Sequence, residues 1–470
     1  MPGGPGLVLP LGLIEEAVAA AGCRERRRRL LPAAAVMVFV LGLCLFCGEG
    51  YGEVARKLAS WLAPLAGPGW RVPGTSALAR ARRRVGPRPF ELLFWRLASP
   101  LADAGVPGSA AFGRALLLMS VDGTTLDVPY TAANVAAFGP PPAGRSQGGF
   151  PQVRLLALAG CGARGLAGAA FGPRTAGEQG LAREIAARGI PGKGMLVLAD
   201  RNFCGHPVVS ALARGGAEVI IRARSSQILP VLQALPDGSY LSVLPDPAAS
   251  RRRHKRNGER RRHGSALAPD PATLEGIPVR VIEADITARP AKGRPVTTHY
   301  RLITTLPDPA EAPARQIAAL YAQRWESETG FRELKVFLRG AGRVLRSRDP
   351  AGVTQEIWAL LSAHQLIQAS RAAAAARGAL DPDRVSYTVT LRALRRQITT
   401  GPARPARARR AAITEILSQL LPATRRQRSY PRLPDKSTAA RRRARNKHAG
   451  TVTHKITIRA TPPAAGQPGP

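Results

Sequence analysis

Three carboxylates stand where a core would not choose them. Asp122 follows the apolar run LLLMSV, Asp200 follows MLVLA, and Glu328 lies inside YAQRWESETGFRELK. A carboxylate after an apolar strand lies near the sheet edge where α/β proteins place their sites, although each Asp alone also reads as a turn residue or helix cap. In the third segment Tyr321, Arg324, Glu328 and Lys335 fall at offsets of three, seven and fourteen residues. At about 100° per residue these four point within roughly 60° of one another on one helix face. Glu326 and Glu333 point elsewhere, and Trp325, Phe331 and Leu334 supply apolar faces. The same pattern also fits a solvated face with an Arg–Glu pair at spacing four. The chemistry that needs all three carboxylates is two-metal phosphoryl transfer. Two hard cations about 4 Å apart take oxygen ligands and stabilise the attacking and leaving oxygens of an in-line displacement at phosphorus. Arg324 and Lys335 would then hold phosphates by charge-assisted bonds.

The elements that must position these groups begin beyond residue 113. Arg114 to Val128 reads as strand, Gly-containing turn and strand, and Pro151–Gly160 and Gly165–Pro173 add two more. A helix over Ala176–Gly189, a strand over Gly194–Asp200, a helix over Pro207–Arg214 and a strand over Ala217–Arg224 follow. This order predicts an α/β domain with a mixed sheet covered by helices. Residues 226–295 break into short strands around the basic stretch Arg251–His263, expected as an exposed loop meeting phosphates. Strand His299–Leu306 resumes the sheet, one long helix runs over Ala312–Leu338, and helices follow at Gln355–Ala376 and Ser386–Thr399. Residues 401–470 read as a basic, largely disordered tail with a short helix near Ala411–Leu421.

Residues 1–105 read as an all-α domain. Leu30–Cys47 follows a basic flank and scores as a candidate span, but Pro32 at its start and its marginal length favour a buried helix, so no membrane partner is expected. Helices at Tyr51–Leu62 and Thr75–Val85, joined by a Pro/Gly-rich turn, have a helix-turn-helix outline. Thr75 or Ser76 would cap the second helix and Gly86 would stop it. That helix carries Arg80, Arg82, Arg83 and Arg84, of which Arg80 and Arg83 are taken as DNA contacts. Five scattered cysteines make no disulfide framework and point to a reducing cytosol. Cys44 and Cys47 have metal-ligand spacing but lie in the apolar run, where core packing is the expected role.

The 470-residue chain has 45% apolar residues, which excludes a wholly disordered or collagen-like chain. Its 69 Lys+Arg against 31 Asp+Glu give a net charge of +38, which calls for a polyanionic partner. Arginine-rich coding bias competes as an explanation, since only eight of the 69 are Lys, but bias alone would not hold the carboxylates to 31.

Taken together, VDGTTLDVP around Asp122, LADRNF around Asp200 and Tyr321-x2-Arg324-x3-Glu328-x6-Lys335 resemble the transposases of bacterial insertion sequences, specifically the insertion-sequence-four branch. The likeness spans roughly residues 10 to 400, and Asn202 departs from the branch's usual Gly. It implies a ribonuclease-H-like α/β fold with helices on both faces of a mixed sheet, interrupted by a β-rich insertion over 226–295. The catalytic domain would comprise 113–225 and 296–400. It further implies that Asp122, Asp200 and Glu328 are the catalytic and metal-holding triad for two Mg2+ ions, with Mn2+ as a substitute. Tyr321, Arg324 and Lys335 would contact DNA. The partners implied are double-stranded DNA at terminal inverted repeats and target sites, met as a homodimer in the bacterial cytosol. The reaction would be hydrolysis at the element ends followed by attack of the freed 3′-hydroxyl on another phosphodiester. A metal-dependent nuclease without strand transfer and a catalytically silent DNA-binding protein remain the alternatives.

Overall fold

The structure, a computed structural model, describes residues 11–25, 27, 29–67, 70–101, 106, 109–112, 116–141, 149–249, 251–252, 275–290, 294–401, 405–423 and 452–460. Most of the basic stretch 251–263 and most of the tail lie outside these residues. The chain forms two compact units. The first comprises Met1–Ala110, Met119–Arg188 and Trp325–Leu421; the second comprises Ala111–Leu118, Gly189–Arg324 and Pro422–Pro470.

The first unit begins with helices α1 (Leu11–Ala20), α2 (Ala33–Leu45), α3 (Tyr51–Lys57), α4 (Ala59–Ala66), α5 (Thr75–Val85) and α6 (Arg88–Leu97). Twelve of the 13 residues of α2 are buried, as a helix apolar on every side demands, so the run at 30–47 is a core element. No helix among the described residues is long and apolar enough to cross a membrane. The short strand β1 (Ala110–Ala111) precedes β2 (Leu116–Asp127). Then come α7 (Ala132–Phe138), β3 (Gln152–Gly160), β4 (Leu166–Pro173) and α8 (Glu178–Ala186). Strands β2, β3 and β4 form an antiparallel meander, and α8 packs on β4 and β3.

The expected turn at Gly123 is absent. β2 continues through it, pairing Asp122 with Ala157, Gly123 with Leu156 and Thr124 with Leu155. The glycine gives space rather than a turn, because a Cβ at Gly123 would meet the Glu178 carboxylate where that side chain now lies. Asp122 therefore sits inside a strand rather than at its end.

In the second unit β5 (Met195–Ala199) leads through a 3-10 turn (Arg201–Phe203) and α9 (His206–Arg214) to β6 (Glu218–Arg222), which pairs parallel with β5. The remaining strands are β7 (Gln233–Ala234), β8 (Tyr240–Pro245), β9 (Gly276–Pro290) and β10 (Val296–Thr304), and all of their pairings are antiparallel. The sheet is thus mixed. An unanticipated strand in the basic tail, β11 (Val452–Ile458), pairs with β9 from Ala284 to Pro290, continuing the edge that β8 occupies from Gly276 to Val281.

The predicted long helix at 312–338 is helical from Ala314 onward but changes type. It runs as α10 (Ala314–Leu320), a 3-10 turn (Tyr321–Arg324), α11 (Trp325–Arg332) and a π turn (Glu333–Leu338). The uniform 100° projection therefore does not hold across it. In the 3-10 turn residues three apart eclipse, which keeps Tyr321 and Arg324 aligned, while the π turn re-aims Lys335. Next come α12 (Pro350–Arg377), α13 (Tyr387–Thr400) and α14 (Pro405–Leu417). Helix α12 starts earlier than apolar periodicity indicates because Asp349 caps it, accepting the Gly352 N–H at 2.8 Å, and Pro350 suits its first turn.

Candidate active site

The candidate residues divide between the two units, with Asp122, Glu328 and Lys335 in the first and Asp200, Tyr321 and Arg324 in the second. In the first unit Asp122 and Thr124 project from one face of β2, two residues apart. Asp122 Oδ1 accepts its neighbour Gly123 N–H at 2.8 Å, and Ser327 Oγ approaches its Oδ2 at 3.4 Å. That contact sets the strand carboxylate beside α11 and the residue next to Ser327, half-buried Glu328. Further along, Lys335 Nζ donates to Thr124 Oγ1 at 3.0 Å. Burial lowers the Lys335 ammonium below its ordinary pKa, with Arg339 adding to the shift and Asp127 opposing it.

Glu326 and Glu333 turn the other way, as their spacing predicts. Arg164, buried beneath α11, donates to Glu326 at 2.7 Å, to Glu333 at 3.2 Å and to Asp383. Arg371 meets both oxygens of Glu333 at 3.3 Å, and Gln368 donates to Glu333 at 2.8 Å. Burial opposes the ionisation of Glu333, yet Arg371 and Arg164 outweigh it and hold the carboxyl below its usual range. Sequence reading missed Arg164 and Arg371, because they lie far from the helix in the chain and carry no local signal.

In the second unit Asp200 follows β5 directly and accepts the Asn202 N–H at 2.8 Å, capping the 3-10 turn. The Asn in place of the branch's Gly leaves this turn formed. Tyr321 is buried edge-on against Tyr300 at 5.8 Å between ring centres, and the Arg222 guanidinium lies 4.6 Å over Tyr300. Burial pushes the Tyr321 hydroxyl up to about 12; Arg324 and Arg222 pull down, while Asp200 and Tyr300 push further up. Tyr321 is thus a packed residue whose charged neighbours include Arg324 and Asp200. Arg222, at the end of β6, is a cation of this group that sequence reading did not single out.

In the N-terminal region Gly74, not Thr75 or Ser76, is the N-cap of α5, and Gly86 stops it as expected. Arg80 and Arg83 are exposed. Arg82 is buried, donating to Gln355 at 2.9 Å, to Ser347 at 3.1 Å and to Tyr51. Cys44 is buried in α2, and Cys47 lies just beyond that helix.

Carboxylate oxygens are the donors that hard divalent cations take, so Asp122, Asp200 and Glu328 fit such ions by donor type. No group of three His, Cys, Asp or Glu among the described residues is already arranged as a metal-ligand set.

An antiparallel meander, a helix, two parallel strands linked by a helix, and a carboxylate-bearing helix after a β-rich insertion make this a mixed α/β protein of the ribonuclease-H-like class, preceded by helices. Residues 116–366 match the transposase DDE domain, and residues 6–95 match the insertion element 4 transposase N-terminal region. The chain belongs to the DDE transposases of insertion-sequence-four type, and its activity is that of a DNA transposase. Among curated relatives, the transposase InsG for insertion sequence element IS4 of Escherichia coli (strain K12) is 26% identical over 435 residues, covering 90% of this chain and 89% of the relative. Among solved structures, a cryo-EM structure of the piggyBac transposase synaptic complex with hairpin DNA aligns at a TM-score of 0.40 and 11% identity. The alignment covers 91% of this chain and 84% of that one. Members of the family use divalent metal ions.

Proposed function

We propose that this transposase binds double-stranded DNA at the terminal inverted repeats of its element, and that Asp122, Asp200 and Glu328 together hold two Mg2+ ions, which Mn2+ can replace. When bound, such ions supply Lewis-acid stabilisation of the attacking and leaving oxygens at phosphorus. The observation that carries this reading is the Ser327–Asp122 contact, which puts the β2 carboxylate beside the helix bearing Glu328. In the first step water attacks a phosphodiester at the element end, the bond from phosphorus to the 3′-oxygen breaks, and a 3′-hydroxyl is released. In the second step that hydroxyl attacks a target phosphodiester, forming a new 3′ linkage and displacing the 3′-oxygen of the target strand. Lys335, held at Thr124, and Arg324, beside Tyr321, would grip the phosphates that flank the cut. They position the strand and carry no sequence information. Arg80 and Arg83 are the proposed element-end contacts, two copies of the chain would pair the two ends, and the site of action would be the bacterial cytosol.

The test is incubation of the full chain with DNA carrying the element's terminal repeats and Mg2+. Nicked ends and joined products are expected from the wild-type chain. Asp122→Ala, Asp200→Ala and Glu328→Ala should each lose cleavage while still binding DNA. Cleavage without joined products would favour a nuclease, and binding without cleavage a silent DNA-binding protein.

A further inference from the structure

A cleft of about 440 Å3 lies within the first unit, bounded by the C-terminal end of α2, the chain that follows the π turn, and side chains of α5 and α12. Small-molecule sites run from roughly 300 to 1,000 Å3. Its wall carries Arg82, Arg339, Arg343 and Arg346 against Glu49 and Glu356, and Val40, Leu43 and Leu360 give it an apolar side.

Most of these charges are already engaged. Glu356 accepts the backbone N–H groups of Arg346 and Ser347 at 3.0 Å and the Ser347 hydroxyl at 2.7 Å. Glu49 Oε1 takes Lys57 at 2.5 Å, while its Oε2 is buried with no donor among the described residues. Arg346 donates to the carbonyls of Glu49 at 2.6 Å and Cys47 at 2.5 Å, and Arg82 is tied to Gln355 and Ser347. Arg339 differs. It is 7% exposed, and its Nε and Nη1 have no hydrogen-bond acceptor among the described residues. Burying guanidinium donors without partners is costly, and an anion with two or more oxygens would satisfy both.

Arg343 stands at the exposed rim, with Nη1 donating to Cys47 O at 3.2 Å. Gly340 between the two arginines has φ +93°, and a Cβ there would lie 2.7 Å from Arg343 Cδ. Only glycine fits that backbone and leaves Arg343 room to fold back. A buried planar guanidinium, a second one at the mouth and an apolar wall suit a phosphate group carried alone or on a small organic body.

We propose that this cleft binds a small phosphate-bearing ligand, inorganic phosphate or a nucleoside monophosphate, with Arg339 as its buried anchor and Arg343 at its mouth. The proposal is independent of metal-dependent DNA cleavage.

The experiment titrates full-length protein, without DNA or divalent metal, with inorganic phosphate and separately with deoxyadenosine monophosphate at fixed ionic strength, following calorimetric binding and the unfolding midpoint. Saturable binding with a rising midpoint is expected, and Arg339→Met and Arg343→Met should each weaken it at least tenfold. Arg339→Met should melt no lower than wild type in phosphate-free buffer, since it removes a buried charge with unmet donors. Tighter binding of the nucleotide would assign the ligand to nucleoside phosphates, and equal binding to the inorganic ion. The proposal fails if neither ligand saturates the wild-type chain, or if Arg343→Met, at the exposed rim, binds as tightly as wild type. It also fails if Arg339→Met melts lower in phosphate-free buffer, which would make Arg339 a structural residue.

Discussion

The two sides of residues 325–338 treat carboxylates in opposite ways. On the inner side Glu326 and Glu333 lie against Arg164 and Arg371, with Gln368 completing Glu333, and Glu333 and Arg164 are 2% and 4% exposed. On the outer side Glu328 and Asp122 are half-buried, and the contacts of Asp122 include the Gly123 backbone N–H and the Ser327 hydroxyl. A carboxylate buried among guanidinium groups has its proton affinity and geometry fixed by the fold. One that is half-buried on the outer side is within reach of solvent, as a carboxylate that takes up a cation must be. The inner set therefore holds the helix in place, and the outer set is the candidate for chemistry.

The largest contrast expected is between Asp122→Asn and Glu333→Gln. Under the proposed assignment, Asp122→Asn or Glu328→Gln lowers DNA cleavage by about four orders of magnitude, as loss of one member of a cooperating unit does. The unfolding midpoint should stay near that of wild type. Glu333→Gln leaves Arg164 and Arg371 short of a buried counter-charge, which costs on the order of 3–5 kcal/mol of stability. Cleavage by that variant should fall only in step with its folded fraction. Parallel denaturation curves and single-turnover cleavage assays check both. A Glu333→Gln chain that is fully folded yet inactive would erase the distinction.

Much of this contrast was legible in the sequence. The seven-residue spacing of Tyr321 and Glu328 separates Glu328 from Glu326 and Glu333 on any helix near 3.6 residues per turn. The apolar runs of β3, β5, β6 and α2 announce themselves because buried elements must be apolar. The change of helix type at Tyr321 and Glu333 was not legible, since 3-10, α and π turns share composition and differ only in hydrogen-bond spacing. Gly123 reads as a turn because glycine's usual signal is conformational, whereas here it makes room for Glu178. The period-two alternation of Val452, His454, Ile456 and Ile458 was a usable strand signal, obscured by the Arg- and Pro-rich sequence around it. Arg164 and Arg371 belong to the site's support only through tertiary packing.

The inner network also carries a pH dependence that the outer face does not require. His364 is buried on α12, with Nδ1 3.0 Å from Tyr387 Oη and Nε2 3.2 Å from Gln368 Nε2. Gln368 Nε2 is a donor, so His364 Nε2 accepts and the proton sits on Nδ1, facing the tyrosine oxygen. Burial lowers the imidazole pKa from 6.5 to about 4, Glu333 pulling the other way and Arg371 and Arg164 reinforcing the drop. Between those values the unfolded chain binds a proton that the folded chain does not. Stability should therefore fall as pH drops from 6.5 towards 4, by roughly 3 kcal/mol at about 1.36 kcal/mol per unit. Glu333, held below its usual range, keeps its full contribution above the ordinary 4.5 of the unfolded carboxyl and begins to lose it at the acid end of this window. Denaturation midpoints from pH 7 to 4 for wild type and His364→Gln provide the measurement. An unchanged slope in the variant would place the titration elsewhere.

The smallest effects are expected on α5, where the same contrast between structural and available charge recurs among four arginines. Arg82 is consumed by Gln355, Ser347 and Tyr51, and Arg84 donates to Leu31 O and lies 3.5 Å from Glu25. Arg80 and Arg83 are exposed and three residues apart, hence neighbours on one surface of the helix. Two cations of the cluster, rather than four, are therefore left for the proposed DNA contact. Arg80→Ala and Arg83→Ala should each reduce the slope of log affinity against log salt by about 0.9, the value for one neutralised phosphate on duplex DNA, with no change in unfolding midpoint. Arg82→Ala should instead destabilise the fold, because it removes the buried donors to Gln355 Oε1 and Ser347 Oγ. If Arg80 or Arg83 reads a base edge, its loss costs about 1 to 3 kcal/mol on terminal repeats and little on unrelated DNA. If it touches only phosphate, both DNAs weaken alike. Salt titrations on the two DNAs separate these outcomes, and a slope unmoved by either substitution would take α5 off the DNA.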